Sequence, residues 1–234
     1  MSRLPILMYH NVTANPEKSI GLTISAEKLE KQFQYLVTKG FNTYHFSEWN
    51  ELINRSGKSV IITFDDVTLN QLEYAVPLLE KYNLKATFFI PFAYVGKTDE
   101  WNKGAEPIMN VEQLKDLSKN IELGYHSFYH RAYAKMTSAE ITEDFDKCKA
   151  FCKENKLEVS PVLAYPYGSF PKKEPLKTPF FQQMKEEGIL FALRIGNKIN
   201  TIPTLNRYEL NRIDVKGEES LFLFKFKLRF GKLF

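Results

Sequence analysis

Two carboxylates stand side by side at the end of an apolar run in Val60-Ile61-Ile62-Thr63-Phe64-Asp65-Asp66. A run this apolar reads as a strand covered on both faces. Like charges this close repel unless a cation or a shared proton relieves them, so the pair points to a metal, a raised pKa or both. The plain alternative is a helix N-cap after the strand, a position where Asp is preferred.

A second cluster, Glu122-Leu123-Gly124-Tyr125-His126-Ser127-Phe128-Tyr129-His130, carries two of the four histidines in the chain. Spaced four apart, they share a face if the segment turns helical, and imidazole is the commonest metal ligand among side chains. One carboxylate with two imidazoles leaves coordination positions open, as in a catalytic rather than a closed structural metal site. The segment Ala164-Tyr165-Pro166-Tyr167-Gly168-Ser169-Phe170 is an aromatic-Pro-aromatic-Gly turn. Such a turn can aim a backbone N–H into a site and offer a sugar ring an aromatic surface, or it can be a bare turn. His10 follows Ile6-Leu7-Met8-Tyr9, and a lone His at a strand end is more often structural.

These residues must be positioned by the elements around them. Short apolar runs at Leu4 to Tyr9, Phe41 to Phe46, Val60 to Phe64, Ala86 to Ile90, Ile121 to Tyr125, Pro161 to Ala164 and Ile189 to Arg194 read as seven strands. Helical periods fill the intervals at Ala26 to Lys39, Leu69 to Tyr82, Val111 to Ser118, Ala139 to Asn155 and Pro179 to Glu187, with Gly40 and Gly188 as stops and Ser25 as a cap. Pro77 marks a bend or break in the second of them. This alternation predicts an α/β fold, a distorted and incomplete (β/α)7 TIM-like barrel of one domain spanning residues 1–234. His10, Asp65 with Asp66, His126 and Tyr165 to Gly168 then all fall at C-terminal strand ends, which in a barrel form a single rim where catalytic groups collect.

The composition fits a folded enzyme. Hydrophobic residues make up 44% and charged residues 26%, and the net charge of +4 is too small and dispersed to imply nucleic-acid binding. The first ten residues lack a signal-peptide core, and Cys148 and Cys152 have no further Cys or His nearby, so reduced thiols and a cytoplasmic or inner-membrane-peripheral location are expected.

Taken together, the motifs resemble those of the polysaccharide deacetylases of carbohydrate esterase family 4, the NodB-homology domain. Thr63-Phe64-Asp65-Asp66 resembles the family's first motif, His126-Ser127-Phe128-Tyr129-His130 its His-x-x-x-His motif, and Tyr165-Pro166-Tyr167-Gly168 its third. Ile6-Leu7-Met8-Tyr9-His10 has the look of the family's final Leu-x-His strand moved to the front, as in the circularly permuted members that deacetylate poly-N-acetylglucosamine. The resemblance implies a hydrolase removing acetyl groups from the N-acetylated sugars of a glycan or a lipid-linked sugar. It makes Asp66, His126 and His130 ligands of a divalent ion, with Zn2+ the first candidate. Asp65 becomes the general base and His10 the acid, and the turn of Tyr165, Pro166 and Tyr167 contacts substrate, with the Tyr167 N–H at the oxyanion. Three departures stand out: Val67 where a Gly commonly follows the Asp pair, Ala164 where an Arg commonly orients the base, and no Asp-x-x-Asp-Trp motif. Arg212 and Asp214 are the candidates to substitute in space. Two other functions remain open, a non-catalytic carbohydrate-binding protein on the same fold and a de-O-acetylase.

Residues 218–234 are apolar with interleaved cations. As a helix they place Lys225, Arg229 and Lys232 on one face, a pattern suited to an anionic membrane surface, although a closing helix packed on the barrel accounts for them as well.

Overall fold

Seven strands form the frame in the computed structural model, which describes residues 2–54, 56–204 and 206–231. They are β1 (Ile6–Tyr9), β2 (Lys58–Asp65), β3 (Ala86–Ile90), β4 (Ile121–Tyr125), β5 (Val162–Ala164), β6 (Phe191–Ile195) and β7 (Leu210–Asp214). Around the ring the order is β1-β7-β6-β5-β4-β3-β2, and β2 pairs back onto β1 in the register Ile6 to Ile61 through Tyr9 to Phe64, so the sheet closes. Every pairing in the ring is parallel. This is the distorted (β/α)7 barrel expected from the sequence.

Successive residues of a strand point to opposite faces, and the packing follows that rule. Ile6, Ile61, Phe89, Val162, Ala164, Leu193 and Leu210 belong to one apolar cluster, the barrel interior. Their neighbours Leu7, Ile62, Phe64, Phe88 and Ile213 join a second cluster under the helices, and Leu163 and Ala192 join a third on the other flank. Gly124 in β4 has no substitute inside: a Cβ there would meet the Phe89 ring at 2.6 Å. That ring lies under His126 and Arg212 at the C-terminal rim of the barrel.

The outer layer comprises α1 (Ala26–Thr38), α2 (Trp49–Asn54), α3 (Val76–Lys81), α4 (Val111–Lys115), α5 (Ser138–Asn155), α6 (Lys177–Glu186) and α7 (Leu221–Phe230). Ser25 caps α1 through Lys28 N–H, and Leu29, Phe33 and Leu36 are its buried face. Pro77 stands where the expected helix Leu69 to Tyr82 is divided. A π-helical turn over Gln71–Ala75 leads directly into α3, where Pro77 occupies the first turn and its missing N–H costs nothing.

Seven strands were expected and seven close the barrel, but one member differs. Phe41–Thr43 is a short strand paired only with the start of β2, outside the ring. The seventh barrel strand is instead Leu210–Asp214, whose Arg212 and Asp214 interrupt the apolar run that marks the other strands. The C-terminal helix is shorter than the expected 218–234. It spans Leu221–Phe230, capped by Ser220, and Lys232 lies outside the described residues. The thiols of Cys148 and Cys152 are unbridged, and no described helix is long and apolar enough to cross a membrane.

Candidate active site

The Asp pair owes its geometry to a sharp turn. Asp65 is the last residue of β2, and the chain then reverses through two positive φ angles, 78° at Asp66 and 43° at Val67. A β-branched residue pays steric strain in that region, where Gly is at ease. Val67 recovers part of it by being fully buried in the core. The turn brings the Asp66 carboxylate over the barrel mouth, where its Oδ1 is buried without a hydrogen-bond partner among the described residues.

The two histidines of the 126–130 segment meet it there, though not by the helical turn that their spacing allows. The segment is an irregular loop with positive φ at Ser127 (65°) and His130 (52°), and it is the loop that folds both rings inward. The carboxylate of Asp144, buried on α5, holds this loop by accepting hydrogen bonds from Ser127 Oγ at 2.8 Å, Phe128 N–H at 2.9 Å and Tyr133 Oη at 3.0 Å. Each imidazole is fixed through its inner nitrogen. His126 Nδ1 donates to the Ala164 carbonyl at 2.7 Å, and His130 Nδ1 lies 3.1 Å from Tyr167 Oη while its ring stacks on Trp101 at 4.1 Å. With Nδ1 engaged in each ring, both Nε2 atoms face Asp66, and the carbonyl bond of His126 selects the tautomer whose Nε2 is free to bind a cation.

The distances suit a metal ion. His126 Nε2 and His130 Nε2 lie 3.6 and 3.4 Å from Asp66 Oδ1, and the three ligand atoms all fall within 4.8 Å of one another. Ligands at about 2.0–2.1 Å on a tetrahedral ion stand roughly 3.3 Å apart. An orphaned buried carboxylate oxygen facing two oriented imidazole nitrogens therefore fits a divalent cation.

Asp65 lies beside this cluster and is held by a residue from the far side of β1. Arg212 of β7 places Nη1 at 2.5 Å from Oδ1 and Nη2 at 2.8 Å from Oδ2, a two-pronged ion pair between side chains that are both buried. Of the two candidates to replace the missing arginine, Arg212 is the one that grips the base position. His10 Nε2 lies 3.6 Å and His126 Nε2 3.9 Å from Asp65 Oδ2. Asp214 has another place: its Oδ1 and His10 Nδ1 are both buried without hydrogen-bond partners among the described residues, and its charge favours protonation of His10.

The neighbouring carboxylates are driven apart electrostatically. Burial raises the Asp65 carboxyl, but Arg212 with His126 and His10 outweighs it and holds the group well below the ordinary carboxylate range. Asp66 goes the other way, pushed well above that range by burial and then by Asp65 and Asp99. Burial also lowers His126 to about 4 and His130 to about 2. His10 is lowered by burial and Arg212 against the opposing pull of Asp65 and Asp214.

The aromatic-Pro-aromatic turn divides differently from the expectation. Tyr165 is fully buried, its hydroxyl donating to the Tyr208 carbonyl and its N–H to Leu193, and Pro166 is buried too. Neither side chain presents a surface to a sugar. Tyr167, with φ of 58° and 59% of its surface exposed, lines the mouth alone. The mouth opens into a cavity of about 430 Å³ bordered by Asn11, Asp99, Trp101 and Asn102 as well as the acidic and histidine groups. Trp101 and Asp144 went unnoticed in the sequence. The former left no signal, whereas Asp144 sits among Ile141, Phe145 and Cys148 on the buried stripe of α5, a place where an acid calls for a reason.

The profile of the polysaccharide deacetylase family matches residues 53–177. The chain belongs to that family. Among its relatives, YxkH of Bacillus subtilis is 26% identical over 181 residues, a stretch that is 75% of this chain and 60% of that protein. The poly-beta-1,6-N-acetyl-D-glucosamine N-deacetylase of Staphylococcus epidermidis is 24% identical over 230 residues, covering 92% of this chain and 75% of the relative. In fold, the Streptococcus pyogenes deacetylase PplD, solved with acetate, superposes with a TM-score of 0.81 at 19% identity, covering 97% of this chain and 98% of that one. Residues 53–177 contain Asp65, Asp66, His126 and His130, whereas His10 and Arg212 lie outside the matched stretch.

Proposed function

We propose that this protein is a metal-dependent N-deacetylase of N-acetylglucosamine-containing polymers, with residues 1–234 forming its deacetylase domain. The observation carrying this reading is the buried Asp66 Oδ1, without a hydrogen-bond partner among the described residues and faced by two imidazole nitrogens at 3.4 and 3.6 Å. Asp66, His126 and His130 would hold the ion, zinc being favoured by two imidazoles with one carboxylate. Bound there, it would supply Lewis-acid polarisation of the acetyl carbonyl and a water nucleophile at neutral pH. The polymer is suggested by the activity named for the staphylococcal relative.

The remaining steps belong to the chain's own groups. Asp65, kept ionised and oriented by Arg212, accepts the proton of the attacking water. His10, neutral at rest and 3.6 Å from Asp65 Oδ2, is placed to take up a proton and deliver it to the departing amine, which leaves poorly unless protonated. Asp214 stabilises the imidazolium that forms meanwhile. The Tyr167 N–H is assigned to the oxyanion. Water and an acetamide then give acetic acid and an amine, with one proton carried from the water oxygen to the nitrogen; at neutral pH the acid ionises to acetate and the amine takes up the proton so released.

Acetate release from β-1,6-linked N-acetylglucosamine oligomers, measured for the zinc-loaded protein and for Asp65→Asn, tests the reading. The native chain should release acetate, and the variant should retain the metal without turning over. Oligomer binding without acetate release would favour a carbohydrate-binding role. Faster cleavage of a matching sugar ester than of the amide would favour O-deacetylation.

A further inference from the structure

At the end of the barrel opposite the catalytic rim, the last turns of α7 and the starts of β1 and β2 enclose a cavity of about 600 Å³. Four cations line it, Arg3, Lys58, Lys225 and Arg229, and no acidic residue does. None of the four makes an ion pair with a carboxylate among the described residues. Instead, the Arg3 guanidinium donates to the Arg229 carbonyl, Lys58 to the Lys39 carbonyl, and Lys225 Nζ stands 4.9 Å over the Tyr35 ring. Backbone carbonyls and an aromatic face hold Arg3, Lys58 and Lys225 in place, and no carboxylate among the described residues compensates any of the four charges.

Beside them, α7 shows a second departure from an ordinary barrel helix. Its inner face is satisfied: Phe224 and Leu228 are buried, Phe224 packs against Tyr35 of α1, and Lys227 is buried against Glu219 and the Asp214 carbonyl. Its outer face should then be polar. It carries Phe222, 77% exposed, and Phe230, 49% exposed, with the partly buried Phe226 between them against Phe230 and Leu223 alongside. At about 100° per residue, Phe222, Phe226 and Phe230 follow one another at i, i+4 and i+8, with Lys225 and Arg229 along the edge nearest the cavity.

We propose that this surface docks onto an anionic phospholipid bilayer, with the four cations taking the headgroup phosphates and the phenylalanine stripe entering the interface. A row of aromatics bordered on one side by cations is the arrangement that binds such interfaces, apolar burial and charge attraction adding together. Complementarity favours lipid over a second copy of the chain, because a twofold contact would set these uncompensated cations against their own copies. Lys58 begins β2 and Asp65 ends it, about 23 Å away at some 3.3 Å per residue. The cation cluster thus lies at the end remote from the mouth, with the stripe running along the side of the barrel for about 12 Å at 1.5 Å per residue.

Co-sedimentation of the full chain with phosphatidylcholine vesicles, with and without a one-third share of phosphatidylglycerol, tests the proposal. The protein should bind the anionic vesicles, scarcely bind the zwitterionic ones, and release as salt rises. Each cation near an anionic surface contributes roughly fivefold to partitioning, so Lys225→Gln with Arg229→Gln should weaken binding about 25-fold. Phe222→Ser should weaken it at constant salt dependence. Metal content and thermal midpoint identify variants that remain folded. Equal binding to both vesicle types, or unchanged binding by the folded charge variant, would overturn the proposal. So would a dimer in solution that Phe222→Ser converts to monomer, since the stripe would then belong to a subunit interface.

Discussion

Arg212 reaches across β1 to grip both carboxylate oxygens of Asp65, at 2.5 and 2.8 Å, from a strand 147 residues away in sequence. Both side chains are buried, so neither charge tolerates losing the other. Truncating one partner of a buried pair typically costs about 3–5 kcal/mol. Arg212→Ala should therefore lower the urea midpoint sharply and abolish acetate release. Arg212→Lys should recover part of the stability but little activity, because a single ammonium cannot replace the two-pronged grip. Activity of the lysine variant near the native level would show that the fork geometry is dispensable.

His10→Ala tests the assignment of the acid. Its Nε2 faces Asp65 and none of its atoms belongs to the three-residue metal cluster. Bound zinc should stay stoichiometric while kcat falls about 10²- to 10⁴-fold, the usual contribution of a positioned proton donor. Asp214→Asn should produce a smaller loss and shift the pH profile of kcat, since it removes a charge that stabilises protonated His10 without removing the imidazole. Loss of metal in His10→Ala would place this residue in the ligand set instead.

Most of the barrel was legible because its strands are apolar on both faces, and that double burial writes an unbroken run such as Val60 to Phe64. The exception is β7. Its inward residues Leu210, Arg212 and Asp214 rise from the apolar floor into the charged mouth, so the strand that supplies the arginine gripping Asp65 is the one without the apolar signature. Metal-site candidates were legible from residue types and spacing, but the loop joining His126 to His130 was not. A spacing of four suits a helix equally well, and the positive φ angles that shape the loop fall on Ser127 and His130 rather than on glycine. Burial corrected the turn at Tyr165: a sequence of aromatics does not reveal which ring enters the core.

The Asp144 carboxylate predicts a link between α5 and the metal ligands. It accepts three hydrogen bonds from the histidine loop and Tyr133, and Ser127 Oγ in turn accepts from Arg131 N–H beside His130. Asp144→Ala leaves those donors unsatisfied, at about 1–3 kcal/mol for each that stays buried. The thermal midpoint should drop and zinc affinity should fall with it, even though Asp144 is not among the three candidate ligands. Asp144→Asn keeps an acceptor and should lose less of both. Native zinc affinity in a destabilised but folded Asp144→Ala would separate the helix from the metal site.

Metal uptake should be coupled to a proton, and the proton should come from Asp66. In the metal-free protein burial depresses His126 to about 4 and His130 to about 2, so both imidazoles are already unprotonated in mildly acidic solution. The Asp66 carboxyl is displaced upward by burial and by Asp65 and Asp99, so it retains its proton above the range where a free carboxyl has lost it. A cation competes with that proton, and affinity therefore rises with pH through the raised Asp66 value rather than through the ordinary histidine range. Zinc titrations of the chelator-stripped protein through the acidic range, in buffers of different protonation enthalpy, should register a proton released per ion that fades as the pH rises past the Asp66 value. Release of further protons at a pH too low for a metal-bound water to ionise would mean that the histidines are charged in the metal-free site, contrary to their burial and to the hydrogen bonds at their inner nitrogens.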